Sequence, residues 1–405
     1  MAERPVDVTI VGAGIAGSAL AAALTGHGLS IALVEARPLP AALPAPEPGI
    51  AGFDPRVSAL TGRSQAFLER LEAWPAVTAV RACPYRHMTV WDAEGTGAID
   101  FDAAEVGVPA LGTIVENRVL VAALLARFRG ARDVTVFAPE RVEDVVREGS
   151  GIALRLGSGA TLRSRLVVAA DGALSPLRSA LGFRTREWDY GHRAIVATVA
   201  VERSHEETAW QRFLPTGPLA LLPLPVGEDG GHRCSIVWSL EEASAEALLA
   251  LDEADFCAAL GAASEYRLGA VLAATPRLAF PLRQRHAVDY IAPGVALVAD
   301  AAHTIHPLAG QGINLGLADV EVLAEEVLRA AGRGLDPGRL DVLRRYQRER
   351  KSDNLAMMAA MEGFKRLFGA RALPVRWLRN TGLRLVDGAE PLKRELVRRA
   401  LGVAR

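Results

Sequence analysis

The sequence predicts a three-layer α/β chain: a parallel-sheet domain, a β-rich segment inserted into it, and helices toward the C-terminal end. Three observations predict this. A strand, a glycine turn, a helix and a second strand fill the first 35 residues. Two later apolar runs, 166–170 and 295–299, each stop at an acid, Asp171 and Asp300. From residue 188 to about 240 the pattern turns β-rich. Continuous apolar runs of this kind suit parallel strands covered on both faces, with ligands outside their carboxyl ends.

The opening stretch is the most informative. Val8-Thr9-Ile10-Val11 has strand character and leads straight into Gly12-Ala13-Gly14-Ile15-Ala16-Gly17. Residues 18–24 are small, apolar and helix-permissive; Ile31-Ala32-Leu33-Val34 follows and ends in Glu35. This Rossmann-like unit is the dinucleotide fingerprint in its required context. Gly12 permits the tight turn, Gly14 lets backbone N–H groups approach a pyrophosphate, and Gly17 lets helix and strand pack closely. The helix then faces the anion with unpaired N–H groups and the positive end of its dipole. Glu35 is placed to accept from ribose hydroxyls. The fingerprint by itself leaves NAD and FAD open.

Composition sets the frame. Half of the 405 residues are hydrophobic and 23% are charged, which fits a sizeable core and two or three domains. No apolar stretch reaches the ~18 residues of a membrane span. Glu3 and Asp7 sit at the first apolar run, which reads as a strand and not a signal peptide. Cys83, Cys234 and Cys257 are odd in number and far apart, as expected of reduced thiols in a cytoplasmic protein. Residues 341–405 hold 16 Lys and Arg against 7 Asp and Glu, a net +9, while the rest of the chain carries −10. Such a basic tail points to an anionic surface or an acidic partner. No nucleic-acid partner is expected.

The remaining elements follow in order. Residues 38–48 form a Pro/Ala-rich surface loop. A helix is expected over 58–72 and a strand at 89–92. Asn117 is expected to N-cap a helix over 118–128. Short strands are expected at 134–137, 141–147 and 152–156. Strands at 194–201, 219–222 and 235–238 precede a helix at 243–260. A long helix runs from 312 to 331, and 340–405 reads as three helices. The expected domains are therefore 1–187, first part of the nucleotide-binding domain with a substrate-side strand region near 85–105; 188–280, a β-rich substrate domain; 281–335, the second part; and 336–405, C-terminal helices.

Gly12, Asp171 and Asp300 mark three strand ends spread over almost 300 residues. One extended ligand touched from several sides fits them, and FAD fits better than NAD. Here the residues match a family. Gly12-x-Gly14-x-x-Gly17 with Glu35, Ala170-Asp171-Gly172-Ala173-Leu174-Ser175-x-x-Arg178, and Ala299-Asp300-Ala301-Ala302-His303-Thr304-Ile305-His306-Pro307-Leu308-Ala309-Gly310-Gln311-Gly312-Ile313-Asn314 resemble the three motifs of flavoprotein aromatic monooxygenases. Asp54-x-Arg56, Glu116-Asn117-Arg118, residues 209–215, Tyr346-x-Arg348 and Asp353-Asn354 resemble the FAD-dependent hydroxylases of ubiquinone biosynthesis. The family usually has Gly where this chain has Ala299.

The resemblance implies an FAD-binding Rossmann-like three-layer domain with an inserted β-sheet substrate domain and a C-terminal helical region. It implies that Glu35, Arg56, Arg118, Asp171, Asp300, Gly312 and Asn314 join the three glycines at FAD. Pro307, Gly310 and His306 would line the ring where chemistry occurs. The expected reaction is hydroxylation of a polyprenylated phenol with O2 and electrons from NAD(P)H or a separate reductase. Peripheral contact with the inner membrane and with other quinone-biosynthesis proteins is expected. A hydroxylase or epoxidase acting on another hydrophobic metabolite, and a low-turnover flavoprotein scaffold, are the alternatives. No metal is expected: His303 and His306 lie in a glycine-rich loop with no third ligand nearby. Ser175 lacks the GxSxG elbow of a hydrolase.

Overall fold

The computed structural model describes residues 3–94, 97–149, 151–227, 230–304, 311–369 and 394. Strand Glu3–Val11 lies between Ile31–Val34 and Thr161–Ala169 and is parallel to both. Val134–Phe137 and Val295–Leu297 extend the sheet at its two sides, also in parallel. The apolar runs are covered on both faces, so Ile10, Leu33, Val167 and Leu297 are fully buried. Helices Ile15–Leu24, Asn117–Phe128 and Gln311–Ala331 place Leu20, Leu24, Leu120, Leu124, Val320 and Leu323 in the same core. Strands Val142–Glu148 and Gly151–Leu156 join antiparallel beside Thr161–Ala169. One consequence of register decides the site. Val11 pairs with Val34 and Ala169, and Ala169 with Leu297. Gly12, Glu35, Asp171 and Asp300 therefore emerge along one edge of the sheet.

A second sheet of nine strands is built around Thr185–Val201. Leu278–Ala287 and His232–Glu241 flank it antiparallel, and Val271–Ala274 also pairs with it. Gly217–Pro223, Thr208–Leu214, His87–Asp92 and Ala98–Asp102 continue from His232–Glu241. The short strand His303–Thr304 pairs with Leu278–Ala287, which ties this sheet to the segment carrying Asp300. Alternation gives the sheet two faces. On one, Ile195, Val199, Ile236 and Trp238 pack with Phe256 and Leu260 of helix Glu253–Ala263. On the other, Val196, Val237 and Ala220 share a register line, and Ala194 pairs with Phe280. A third sheet joins Val57–Leu60, Gly112–Glu116 and Cys83–Tyr85. It meets the second at Leu222 and Leu224, which pack on Phe53 and Ile114.

Several expectations need correction. The helix expected over 58–72 is strand Val57–Leu60 followed by helix Gly62–Arg70. Pairing with Gly112–Glu116 overrides local helix propensity, and Thr61 then caps the helix by accepting from Ser64 N. Asn117 is the first residue of its helix, not its cap; its Oδ1 accepts from Ser58 Oγ at 2.6 Å. The helix expected over 243–260 is two, Glu242–Leu249 and Glu253–Ala263, because Asp252 caps a new start by accepting from Asp255 N. The first C-terminal helix is Leu340–Gly369. The other two lie outside the described residues. The three cysteines are buried and unpaired. No described helix is long and apolar enough to cross a membrane.

Candidate active site

The site begins with missing side chains. Gly12 has φ +103°, and a Cβ there would stand 2.3 Å from the Ala170 carbonyl oxygen. A Cβ on Gly17 would stand 1.9 Å from the Gly12 oxygen. Both positions are closed to any other residue. Gly14 differs: a Cβ there meets no protein atom within 4 Å. The open space over Gly14, beside the start of helix Ile15–Leu24, is the cradle a pyrophosphate requires. Glu35 stands beside the turn, where Oε2 accepts from Ala13 N at 2.8 Å and Oε1 from Arg37 N at 3.0 Å. The carboxylate thus braces the glycine turn from the end of the second strand.

Arg56 and Arg118 come from segments that two carboxylates bind together. Glu116 Oε2 accepts from Asp54 N at 2.7 Å, and Asp54 Oδ2 accepts from Arg118 N at 3.1 Å. Asp54 Oδ1 accepts from Arg56 N at 3.0 Å. The Arg118 guanidinium donates to Glu116 Oε2 and the Gly52 carbonyl. Arg56 is exposed, and no described residue bonds its guanidinium. The sequence held both acids of this bracket, but their pairing spans 62 positions and had no local signal.

Asp171 and Arg178 turn inward. Asp171 accepts from Ser175 Oγ at 2.5 Å and from Leu177 N at 3.1 Å, and Ser175 caps the short helix Pro176–Ala180 by accepting from Arg178 N at 3.0 Å. Desolvation pushes its carboxyl above the usual range against those bonds. Arg178 is buried and donates to the carbonyls of Ala301 and Ala173, both at 2.9 Å. It therefore ties the second motif to the third.

Asp300 lies in a single 3-10 turn, Ala299–Ala301, just past strand Val295–Leu297. It is exposed, yet desolvation by surrounding protein pushes its carboxyl above the ordinary range, with His303 pulling the other way. Ala299 has φ +52°, the left-handed region where glycine is at ease and alanine is not. His303 Nε2 bonds Asp319 Oδ2 at 2.5 Å. Among the described residues no group of three or more His, Cys, Asp or Glu could hold a metal. Pro307, Gly310 and His306 lie outside the described residues. Gly312 is in the first turn of helix Gln311–Ala331. Asn314 Nδ2 donates to Ala59 O at 2.8 Å, and its Oδ1 accepts from Thr61 N and Ser64 Oγ at 2.9 and 2.7 Å. Its amide fastens the start of that helix to the end of strand Val57–Leu60.

Comparison with known proteins bears on this geometry. A family model described as an FAD binding domain matches residues 67–360, and one described as an NAD(P)-binding Rossmann-like domain matches residues 10–52. The chain is 38% identical over 405 residues to the 3-demethoxyubiquinol 3-hydroxylase of Escherichia coli strain K12, with all of both chains covered. The chain belongs to the FAD-dependent hydroxylases of ubiquinone biosynthesis. The ubiquinone hydroxylase UbiL of Rhodospirillum rubrum is 39% identical, covering 99% of this chain and 90% of that one. The human ubiquinone biosynthesis monooxygenase COQ6 is 33% identical, covering 96% and 91%. Among solved structures, a probable FAD-dependent monooxygenase from Pseudomonas aeruginosa superimposes with a TM-score of 0.76 at 25% identity, covering 94% of this chain and 99% of that one. The protein is thus an FAD-dependent aromatic-ring monooxygenase. The open space over Gly14, the Arg56 guanidinium, unbonded among the described residues, and the exposed Asp300 at the end of its strand fit that cofactor.

Proposed function

We propose that the protein adds a hydroxyl group to the aromatic ring of a polyprenylated phenol on the way to ubiquinone, using O2 and an electron pair from NAD(P)H. The observation that carries this reading is the full-length likeness to the Escherichia coli hydroxylase, end to end in both chains. When bound, FAD supplies the redox chemistry and oxygen activation that no side chain can.

The chain's own residues divide the work in this reading. Gly12, Gly14, Gly17 and the following helix hold the pyrophosphate, with Arg56 adding its charge and Glu35 serving the ribose. Asp300 accepts from the ribityl hydroxyls. Pro307, Gly310 and Gly312 bring backbone to the ring system, with His306 at the substrate side. Asp171 and Arg118 act from the second motif and from the Asp54–Glu116 bracket. The sheet face bearing Val196, Val237, Ala220 and Phe280 forms the apolar wall of the substrate site. Such a wall excludes water and suits a hydrocarbon-bearing ring. The same reading divides the domains near 187/188, 280/281 and 335/336 and takes the nine-stranded sheet as the substrate side, although strands Thr185–Val201 and Leu278–Ala287 of that sheet run across the first two divisions.

The substrate's tail dissolves in a bilayer, so the enzyme meets the membrane from one side, through the basic C-terminal end. Removing residues 388–405 is expected to lower binding to anionic liposomes; unchanged binding contradicts that contact. The reaction itself is tested by deleting the gene and weighing the quinone intermediate that accumulates. The reading expects a polyprenylated phenol one ring oxygen short of the next intermediate. An unaltered quinone profile counts against it.

A further inference from the structure

The molecule spends an unusual amount of buried charge beside, and not in, the flavin site. Asp319, on helix Gln311–Ala331, has no exposed surface. Its Oδ2 accepts from Ala299 N at 3.1 Å and from His303 Nε2 at 2.5 Å. Its Oδ1 accepts from Arg350 Nε at 3.0 Å and from Asn354 Nδ2 at 3.1 Å. Arg350 is 2% exposed and also donates to Asp353 and Asn354. On helix Leu340–Gly369, which carries Arg350, Tyr346 Oη donates to the Leu297 carbonyl at 2.6 Å, and Gln347 Oε1 accepts from Tyr290 N at 2.7 Å.

The wiring is specific. One carboxylate holds both ends of the segment 299–303, and Asp300 lies between those ends. The same carboxylate joins that segment to helix Leu340–Gly369. Each of its oxygens has two donors, and it is sealed from solvent, so no lone pair remains for a ligand. Desolvation would push this carboxyl up, but His303, Arg350 and Asn354 outweigh it and the group lies below the ordinary range. Packing does not require an anion here, because buried ion pairs give little net stability over apolar substitutes. A fully satisfied buried network does fix one arrangement among several. Ala299 needs such fixing, since its left-handed φ of +52° is a conformation alanine leaves when free to do so.

We propose that Asp319 and Arg350 are positioning residues of the flavin site: they fix segment 299–303, and with it Asp300, and so set the affinity for FAD without touching it. Helix Leu340–Gly369 then acts on the cofactor at one remove, through Arg350 and Asn354.

The test uses the full chain, stripped of flavin and titrated with FAD. Arg350→Lys keeps the charge but loses the fork that reaches Asp319, Asp353 and Asn354. Asn354→Ser is the milder variant on the same carboxylate. Leu260→Ala, in the core of the second sheet, is the control, matched or greater in its lowering of apoprotein Tm. The proposal expects about tenfold weaker FAD binding in Arg350→Lys, a smaller loss in Asn354→Ser, and an altered visible flavin band in both. It expects the FAD Kd of Leu260→Ala to stay within about twofold of the parent. Kd values within about twofold of the parent in both latch variants would overturn it. So would a loss in Leu260→Ala as large as that in Arg350→Lys, since affinity would then follow stability alone.

Discussion

The two ends of the cofactor site are built by opposite means. At the nucleotide end the fold is set by atoms that are absent: Gly12 and Gly17 leave no room for a Cβ, and Gly14 stands beneath open space. The parts are strand, turn, helix and strand within the first 35 residues, contiguous in the chain. At the flavin end the fold is set by atoms that are present and buried. Asp319, Arg350, Asn354, Tyr346 and Arg178 reach in from three separate helices to hold residues 297–303, and Asn314 fastens the start of helix Gln311–Ala331 to residues 59–64. Steric exclusion is stiff and indifferent to pH. A polar network is adjustable and depends on protonation. In the proposed function the rigid end anchors the cofactor and the adjustable end faces the chemistry.

This contrast can be broken in order of effect. Gly12→Ala and Gly17→Ala should be most severe, each costing about 4 kcal/mol or more through backbone overlap. Chemical denaturation of the apoprotein measures it; a loss under about 1 kcal/mol would remove the steric account.

The polar end should respond to acid. His286 is buried, and desolvation, with the charges of His303, Lys351 and Arg186, pushes its pKa down to about 4 from 6.5. The unfolded chain takes up that proton first, so this contribution is complete above about pH 6.5 and is lost as pH falls toward 4. The shift corresponds to about 3 kcal/mol. His286→Gln should flatten the fall in stability between pH 6.5 and 4 relative to the parent. An unchanged slope would show that His286 is not the group responsible.

Ala299 and Gly316 give a smaller, coupled effect. A Cβ on Gly316 would lie 2.8 Å from the Ala299 Cβ and 3.5 Å from the Ala299 Cα. Gly316→Ala is therefore expected to cost about 2 kcal/mol in the parent and under about 1 kcal/mol beside Ala299→Gly. Additive costs in the double-mutant cycle would contradict this. The smallest effect on the fold, and the sharpest on ligand, falls at Gly14 and Arg56. Gly14→Ala and Arg56→Ala should leave apoprotein stability within about 0.5 kcal/mol while weakening FAD binding about tenfold. Calorimetric titration with FAD separates the two quantities, and an unchanged Kd would take both residues out of the site.

The same contrast governs what the sequence makes legible. Glycines and apolar runs act locally, so the first 35 residues, the strand ends at Asp171 and Asp300 and the long helix after Gly312 could be placed by pattern alone. Residues 58–60 could not, because their strand exists only through partners at 113–115. Asn314 carries an amide that in sequence looks free for a ligand; in the fold it bonds Ala59, Thr61 and Ser64, some 250 positions earlier. Asp319 left one faint signal, an acid amid Gly316-Leu317-Ala318 and Val320 on a helix otherwise buried there. An acid at such a position demands partners, but nothing in the sequence names them. Ala299 shows the converse: the family's usual glycine pointed to a backbone need, and the left-handed φ supplies its reason.

The central claim is that this site puts an oxygen atom from O2 onto the ring of a polyprenylated phenol. The direct measurement is turnover of the FAD-loaded protein with such a phenol in detergent, with NADPH, under oxygen-18 gas, followed by mass analysis of the product. The account predicts one heavy oxygen on the aromatic ring, formed in proportion to NADPH consumed. Oxygen uptake with only peroxide released, or a ring oxygen that comes from water, would contradict it.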